Sequence, residues 1–223
     1  MAQIHGVPGE WARVKGMALG MWPLFVGIFF VGFALATWIW GPSGFGAVLF
    51  AIAAVSCYWC GLRGLRRVER FFKGARGEEK VAGVLAGLPA GYHVFNDFSA
   101  GNGYVDHVVV GPTGVYSVET KYWAGDVTVD DGSVLVNGRL PSRDPVPQAL
   151  KECELVRVRL AGLGWTGKVV PILVFASDNF RFSAIEVGGA VIMNSSGIVK
   201  SITSGYHVMS ESEISRLVSI IES

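Results

Sequence analysis

Charge is scarce in this chain. Asp, Glu, Lys and Arg supply only 17% of its 223 residues against 51% hydrophobic ones, and the mean hydropathy of +0.42 is too apolar for an ordinary soluble domain of this size. Two stretches, residues 17–40 and 45–62, contain no charged residue at all. Each is long enough to cross a hydrocarbon core of roughly 30 Å as a helix, the second with little to spare. Gly41-Pro42-Ser43-Gly44 between them lacks Lys and Arg, whereas Arg13 and Lys15 precede the pair and Arg63, Arg66, Arg67, Arg70 and Lys73 follow it. The expectation is a two-helix transmembrane hairpin in the cell inner (plasma) membrane, with both ends of the chain in the cytosol. Trp22, Trp38, Trp40, Tyr58 and Trp59 sit near the ends of the two runs, as interfacial aromatic belts do. With no ionisable residue inside either run, transport is disfavoured as a role for the hairpin. A cleaved signal peptide, suggested by Ala34-Leu35-Ala36, is the weaker reading, because the first apolar run continues to Trp40 and a second follows.

Cysteine is nearly absent too. Three residues, two of them (Cys57 and Cys60) inside the second apolar run and one (Cys153) in an expected helix, exclude a disulfide scaffold. Cys57-Tyr-Trp-Cys60 has no second ligand pair to make a metal site, so it reads as two small residues on one helix face.

A basic excess is also missing where a nucleic-acid footprint would need it. Up to Lys73 the chain carries seven basic and two acidic residues, but from Gly74 onward twelve basic residues face sixteen acidic ones. The basic joint at residues 63–73 therefore reads as a topology and lipid-contact signal, and overall charge alone supports no nucleic-acid role.

What remains, residues 74–223, has the mixed helix and strand alternation of one compact α/β domain, with about 150 residues to build a core. The apolar spacing predicts a helix over residues 78–88 and a short strand over 92–96. Residues 104–110 and 115–123, separated by Gly111-Pro112-Thr113-Gly114, form the clearest hairpin. A smaller hairpin is expected over 126–136, an amphipathic helix over 146–163, a buried strand over 169–176 and a weaker strand over 189–193. Ser210 and Glu213 make a capping box before a last helix. Ahead of all this, residues 1–16 read as a cytosolic tail.

Pairing Gly111 with Gly114 sets a hairpin register in which Asp106 falls opposite Glu119. Directly opposed carboxylates repel unless something cationic lies between them. A divalent metal is one solution, and Lys121, two residues past Glu119 and so on the same face, is another. An aspartate, a second acid and a lysine converging on one volume suit metal-dependent phosphodiester cleavage: the carboxylates hold the cation, and the lysine orients the nucleophile or offsets developing charge. His107 projects to the other face and reads as a packed, hydrogen-bonded histidine.

The segments GARGEEKVAGVL, GYVDHVVVGPTGVYSVETKYWAG and DPVPQALKECELVRVRL, in that order, resemble the nuclease-related (NERD) family across residues 74–163. The resemblance implies a restriction-endonuclease-like mixed sheet flanked by helices, of the PD-(D/E)XK superfamily. It implies Mg²⁺ (or Mn²⁺) as cofactor and a catalytic set of Glu78, Asp106, Glu119, Lys121 and Gln148, with Asp106, Glu119 and Glu78 as metal ligands. Two positions depart from the family pattern: Asp144 stands where asparagine precedes the first proline, and Tyr122 where asparagine is common after the lysine. Trp123 and Gly125 are expected to serve the fold.

The first functional expectation is a membrane-anchored, metal-dependent nuclease acting on DNA at the cytosolic membrane face, with RNA as the alternative substrate and the lipid bilayer as the second partner. The competing expectation is a non-catalytic nucleic-acid or protein-binding scaffold that keeps the nuclease-like fold.

Overall fold

Small residues let the two apolar runs lie against each other. The computed structural model describes residues 1–41, 45–177, 179–180 and 184–222, and for residues 66 and 67 the backbone alone. The expected turn at residues 42–44 and the side chains of Arg66 and Arg67 thus lie outside the described residues. The chain divides into two compact units, residues 10–73 and residues 1–9 with 74–223.

In the first unit, helix α1 (Glu10–Trp40) and the leading part of helix α2 (Phe45–Leu85) run antiparallel. Gly16 faces Phe71, Gly20 faces Val68 and Gly64, and Gly27 faces Cys57. A β-carbon on Gly64 would stand 3.0 Å from the Gly20 carbonyl oxygen, a contact so tight that glycine favours this approach. Phe30 and Phe33 meet Phe50 higher up. Most apolar side chains of the pair face outward, Trp38 being 72% and Ile28 69% exposed. The hydroxyls of Thr37 and Ser56 bond back to the carbonyls of Phe33 and Ile52. Both helices are long and apolar enough to cross a membrane.

The helices outrun the apolar runs. α2 continues through the basic joint to Leu85 and takes in most of the helix expected over 78–88. No proline interrupts residues 45–85, and arginine, lysine, glutamate and alanine there all favour helix.

The second unit is a mixed α/β domain. Its sheet has seven strands in the order β1 (Gln3–His5), β2 (His93–Ser99), β3 (Tyr104–Gly111), β4 (Gly114–Lys121), β7 (Val169–Phe175), β9 (Ala190–Asn194) and β8 (Ile185–Val187). β2, β3 and β4 pair antiparallel, whereas β1 on β2, β7 on β4 and β9 on β7 are parallel. β5 (Val127–Asp130) and β6 (Ser133–Val136) make the expected small hairpin, separate from the main sheet. Helix α3 (Pro145–Gly162) crosses from β4 back to β7, and α4 (Ile198–Thr203) and α5 (Glu211–Glu222) follow.

Alternating residues fill two layers. Val94, Val109, Val118, Ile172 and Val174 pack with Val81 and Leu85 of α2, with Leu88 just beyond it, and with Ile198 and Ile202 of α4. On the other face, Phe95, Val108, Val110 and Val115 meet Val156 and Leu160 of α3 and Ile214 and Leu217 of α5. Trp123 packs on Phe175 beside Phe180, a structural duty as expected. The capping box forms: Glu213 accepts from the Ser210 N–H at 2.8 Å, and the Ser210 hydroxyl accepts from the Glu213 N–H at 3.3 Å.

Residues 1–16 differ from the expected tail. Residues 3–5 form an edge strand, the Ala2 N–H donates to the Leu88 carbonyl at 2.9 Å, and α1 already begins at Glu10. Asn96 donates to the Gly6 carbonyl at 3.3 Å, and Gly6 itself has φ +76°. Three residues are too few for a periodic signal, and the partner strand lies some ninety positions away in the chain.

Candidate active site

β3 and β4 pair in the register expected from Gly111 and Gly114, and the ladder runs as far as His107 with Val118. Beyond that pair β4 stays bonded to β7, Glu119 opposite Leu173 and Lys121 opposite Phe175. Asp106 follows a different rule: its Oδ2 accepts the Thr120 backbone N–H at 2.8 Å. A carboxylate thereby takes the place of a ladder carbonyl, and the side chain of Asp106 is held beside the carboxyl end of β4.

Glu119 is buried and Lys121 is largely so. The Lys121 ammonium donates to Glu119 Oε1 and, at 3.0 Å, to Gln148 Oε1. Gln148 Nε2 donates to Glu119 Oε1 at 2.7 Å and to Glu152 Oε1 at 2.9 Å. Gln148 reaches the sheet from the first turn of α3, which Asp144 caps by accepting the Val146 N–H at 3.0 Å, with Pro145 opening the helix. Asp144 therefore performs the capping that an asparagine would, and the departure from the family pattern leaves the helix start intact.

Glu78 arrives on α2, where it is buried. Gly77 beside it is required by contact, since a β-carbon there would lie 2.8 Å from the Tyr122 β-carbon. The Lys80 ammonium donates to the Ala176 carbonyl at 2.8 Å and ties the same turn of α2 to the end of β7. Glu79, the next residue, is exposed.

Like charges dominate the site. Burial lifts the Asp106 carboxyl well above the usual carboxylate range, the charges of Glu119, Glu78 and Glu152 add to this, and the Thr120 N–H opposes it. Burial and contact with Glu119 push Glu152 up to about 9, against the pull of Gln148 and Lys121. Two unit charges about 4 Å apart repel by about 4 kcal/mol at an effective dielectric of about 20, enough to keep a proton on one of a close pair. Lys121 is the cation bonded directly to this group of acids among the described residues.

Among the described residues, no three His, Cys, Asp or Glu side chains stand ready-arranged around a metal position. Glu119 Oε1 is taken by Lys121 and Gln148, and Glu152 Oε2 is buried with no hydrogen-bond partner. The donor chemistry nonetheless suits a hard divalent cation: every acid in the cluster offers oxygen, and a cation would relieve the repulsion that raises Asp106.

Asp106, Glu119, Lys121 and Gln148 are thus brought together, and the charge of Glu78 bears on the same group. His107 points the other way, wholly buried, with Nδ1 bonded to Asn96 Oδ1 at 2.8 Å. Gly101-Asn102-Gly103 is a turn closed by the Ala100 N–H on the Gly103 carbonyl at 2.9 Å. Sequence reasoning missed Glu152. Its signal was the spacing of four residues from Gln148, which puts both on one face of an amphipathic helix.

No curated protein and no solved structure matches the chain. Residues 73–176 match the family model of the nuclease-related domain, a span that contains every residue of this cluster. The segment that places acid, lysine and glutamine side by side at the end of β4 belongs to the nuclease-related domain family.

Proposed function

We propose that the protein is a membrane-anchored nuclease that hydrolyses phosphodiester bonds of DNA with the help of Mg²⁺ or Mn²⁺. The observation that carries this reading is the meeting of Asp106, Glu119, Lys121 and Gln148 at the carboxyl end of a strand within a nuclease-related domain. Asp106, Glu119 and Glu78 would hold the cation, which when bound supplies Lewis acidity and an activated water. Lys121 presents its ammonium to an incoming phosphate, offsetting charge that develops on its oxygens. Gln148 orients Lys121 through its carbonyl and Glu119 through its amide N–H. Thr120, through its backbone N–H, keeps Asp106 aimed into the site.

Anchoring rests on the two long apolar helices. Residues on either side of the 10–73 unit meet in one sheet, β1 beside β2, which supports an entry and an exit on the same membrane face. The basic residues flanking the apolar runs favour the cytosolic face.

The test is cleavage by the full chain in detergent or nanodiscs, using plasmid, single-stranded DNA and RNA with Mg²⁺, Mn²⁺ or chelator. DNA cleavage that needs the cation and disappears in Asp106→Asn and Lys121→Ala supports the proposal. Equal cleavage by wild type and variants removes it. The acidic excess from Gly74 onward favours a second reading, a scaffold without catalysis. A heat-stability response to the cation that Glu119→Ala abolishes, with no cleavage of any substrate, would select that reading.

A further inference from the structure

Gln148 uses three hydrogen-bonding positions in the cluster. Its carbonyl takes the Lys121 ammonium at 3.0 Å, and its amide nitrogen gives one hydrogen to Glu119 at 2.7 Å and the other to Glu152 at 2.9 Å. Lys121 and Glu119 lie on β4, whereas Glu152 lies on α3 itself, one turn beyond Gln148. A glutamine side chain has three rotatable bonds, and at the start of a helix it can swing into solvent with little hindrance. Glu152 removes that freedom from within the same helix. It also reinforces one of the two amide orientations, because turning the amide over would set the Gln148 carbonyl against the acceptors of Glu119 and Glu152 and its N–H groups against the donor-only ammonium of Lys121.

We propose that Glu152 is a positioning residue of the candidate active site, its Oε1 locking the Gln148 amide so that carbonyl faces Lys121 and N–H faces Glu119. Glu152 needs no contact with substrate for this. What it must provide is an acceptor at the full reach of a glutamate side chain, one helical turn from Gln148. Its role is therefore separable from charge. Glu152→Gln keeps an acceptor at the same reach without an ionisable group, while Glu152→Asp keeps the carboxyl and draws the acceptor back by one methylene.

The inference deepens the nuclease reading, but the geometry can be read without any cleavage. Gln3 and Gln148 are the only glutamines in the chain, so selective ¹⁵N labelling of glutamine side-chain amides in the detergent-solubilised full protein yields two amide pairs. Gln3→Asn assigns them. The expected wild-type result is a Gln148 pair shifted downfield and widely split, set by its three partners in the cluster. It should persist in Glu152→Gln, where the substitution itself adds a third amide pair, and move toward the position of an exposed glutamine in both Glu152→Ala and Glu152→Asp. If wild-type protein cleaves DNA, kcat in Glu152→Ala and Glu152→Asp should fall about tenfold with KM within about twofold, and Glu152→Gln should restore it. A Gln148 signal unchanged in Glu152→Asp and Glu152→Ala overturns the proposal, as does its loss in Glu152→Gln to the same extent as in Glu152→Asp. Should no nucleic acid be cleaved, the nuclease reading fails, and the amide spectra still decide the role of Glu152.

Discussion

The Thr120 backbone N–H donates to Asp106 Oδ2 at 2.8 Å just where the β3–β4 ladder has ended. One side chain thus does two jobs, closing the sheet's hydrogen bonding and presenting charge to Glu119 and Glu78. The jobs separate by substitution. Asp106→Asn keeps an oxygen acceptor for Thr120 and should fold with a stability close to wild type, while cleavage falls by about 10²-fold or more. Asp106→Ala leaves a partly buried N–H without its partner and should cost a further 1–3 kcal/mol, roughly, in stability. Thermal unfolding beside a cleavage assay reads both. Equal stability of the two variants would show that the Thr120 bond carries no weight.

A β-carbon on Gly77 would stand 2.8 Å from the Tyr122 β-carbon and 3.4 Å from Cγ and Cδ2 of its ring, against the root of that side chain and not its far end. Gly77→Ala should therefore destabilise by about 1–3 kcal/mol, as overpacking of a close contact does, and displace the helical turn carrying Glu78. Because the clash is with the Tyr122 β-carbon, Tyr122→Ala should give no relief and Tyr122→Gly should give some. Chemical unfolding of the four single and double variants decides this, and equal rescue by both Tyr122 replacements would remove the explanation.

Those two contacts mark how far the sequence could be read. The Gly111–Gly114 turn fixes the register of a local hairpin, so Asp106, Glu119 and Lys121 could be brought together from spacing alone. Spacing could not show that Asp106 leaves the ladder and bonds to Thr120, because the β3–β4 ladder ends there while β4 stays paired with β7, a strand some fifty residues further on. Gln148 was legible from family resemblance. Glu152 was not, although its i,i+4 relation to Gln148 was available, because an acid on an amphipathic helix is ordinarily solvated. The edge strands β1 and β8 escaped notice for another reason. At three residues each they carry no periodicity, and β1 in addition pairs with a strand some ninety positions away, whereas β8 simply folds back on β9.

His107 is wholly buried, and burial lowers its pKa to about 3 from 6.5. Below pH 6.5 the unfolded chain takes up a proton at this side chain that the folded protein refuses until about pH 3. Stability contributed by the neutral ring is thus present above 6.5 and is lost as pH falls from 6.5 toward 3, with a slope approaching about 1.4 kcal/mol per pH unit. His107→Gln retains a donor for Asn96 without the ionisation. The difference in unfolding free energy between wild type and this variant should shift in favour of the variant between pH 7 and 4. A difference that stays constant with pH would show that the ring protonates without penalty.

Gly6 is the joint between β1 and the chain that leads to Gly9, and its φ of +76° directs a β-carbon to 2.7 Å from the Asn96 carbonyl oxygen. The obstacle is backbone in the middle of β2, which cannot move aside without disturbing the bond that Asn96 Oδ1 accepts from His107 Nδ1. Gly6→Val therefore combines an unfavourable backbone conformation, about 1–3 kcal/mol, with overlap against a fixed strand. The expected result is a lower melting temperature for the domain formed by residues 1–9 and 74–223, with hydrogen exchange rising first at β1 and at the amides of Asn96 and His107. Removal of residues 2–5 should reproduce that exchange pattern, because it deletes the partner strand itself. If Gly6→Val melts like wild type and β2 stays protected, β1 is an appendage to the sheet, and the same-side entry and exit of the apolar hairpin loses the support drawn from its pairing with β2.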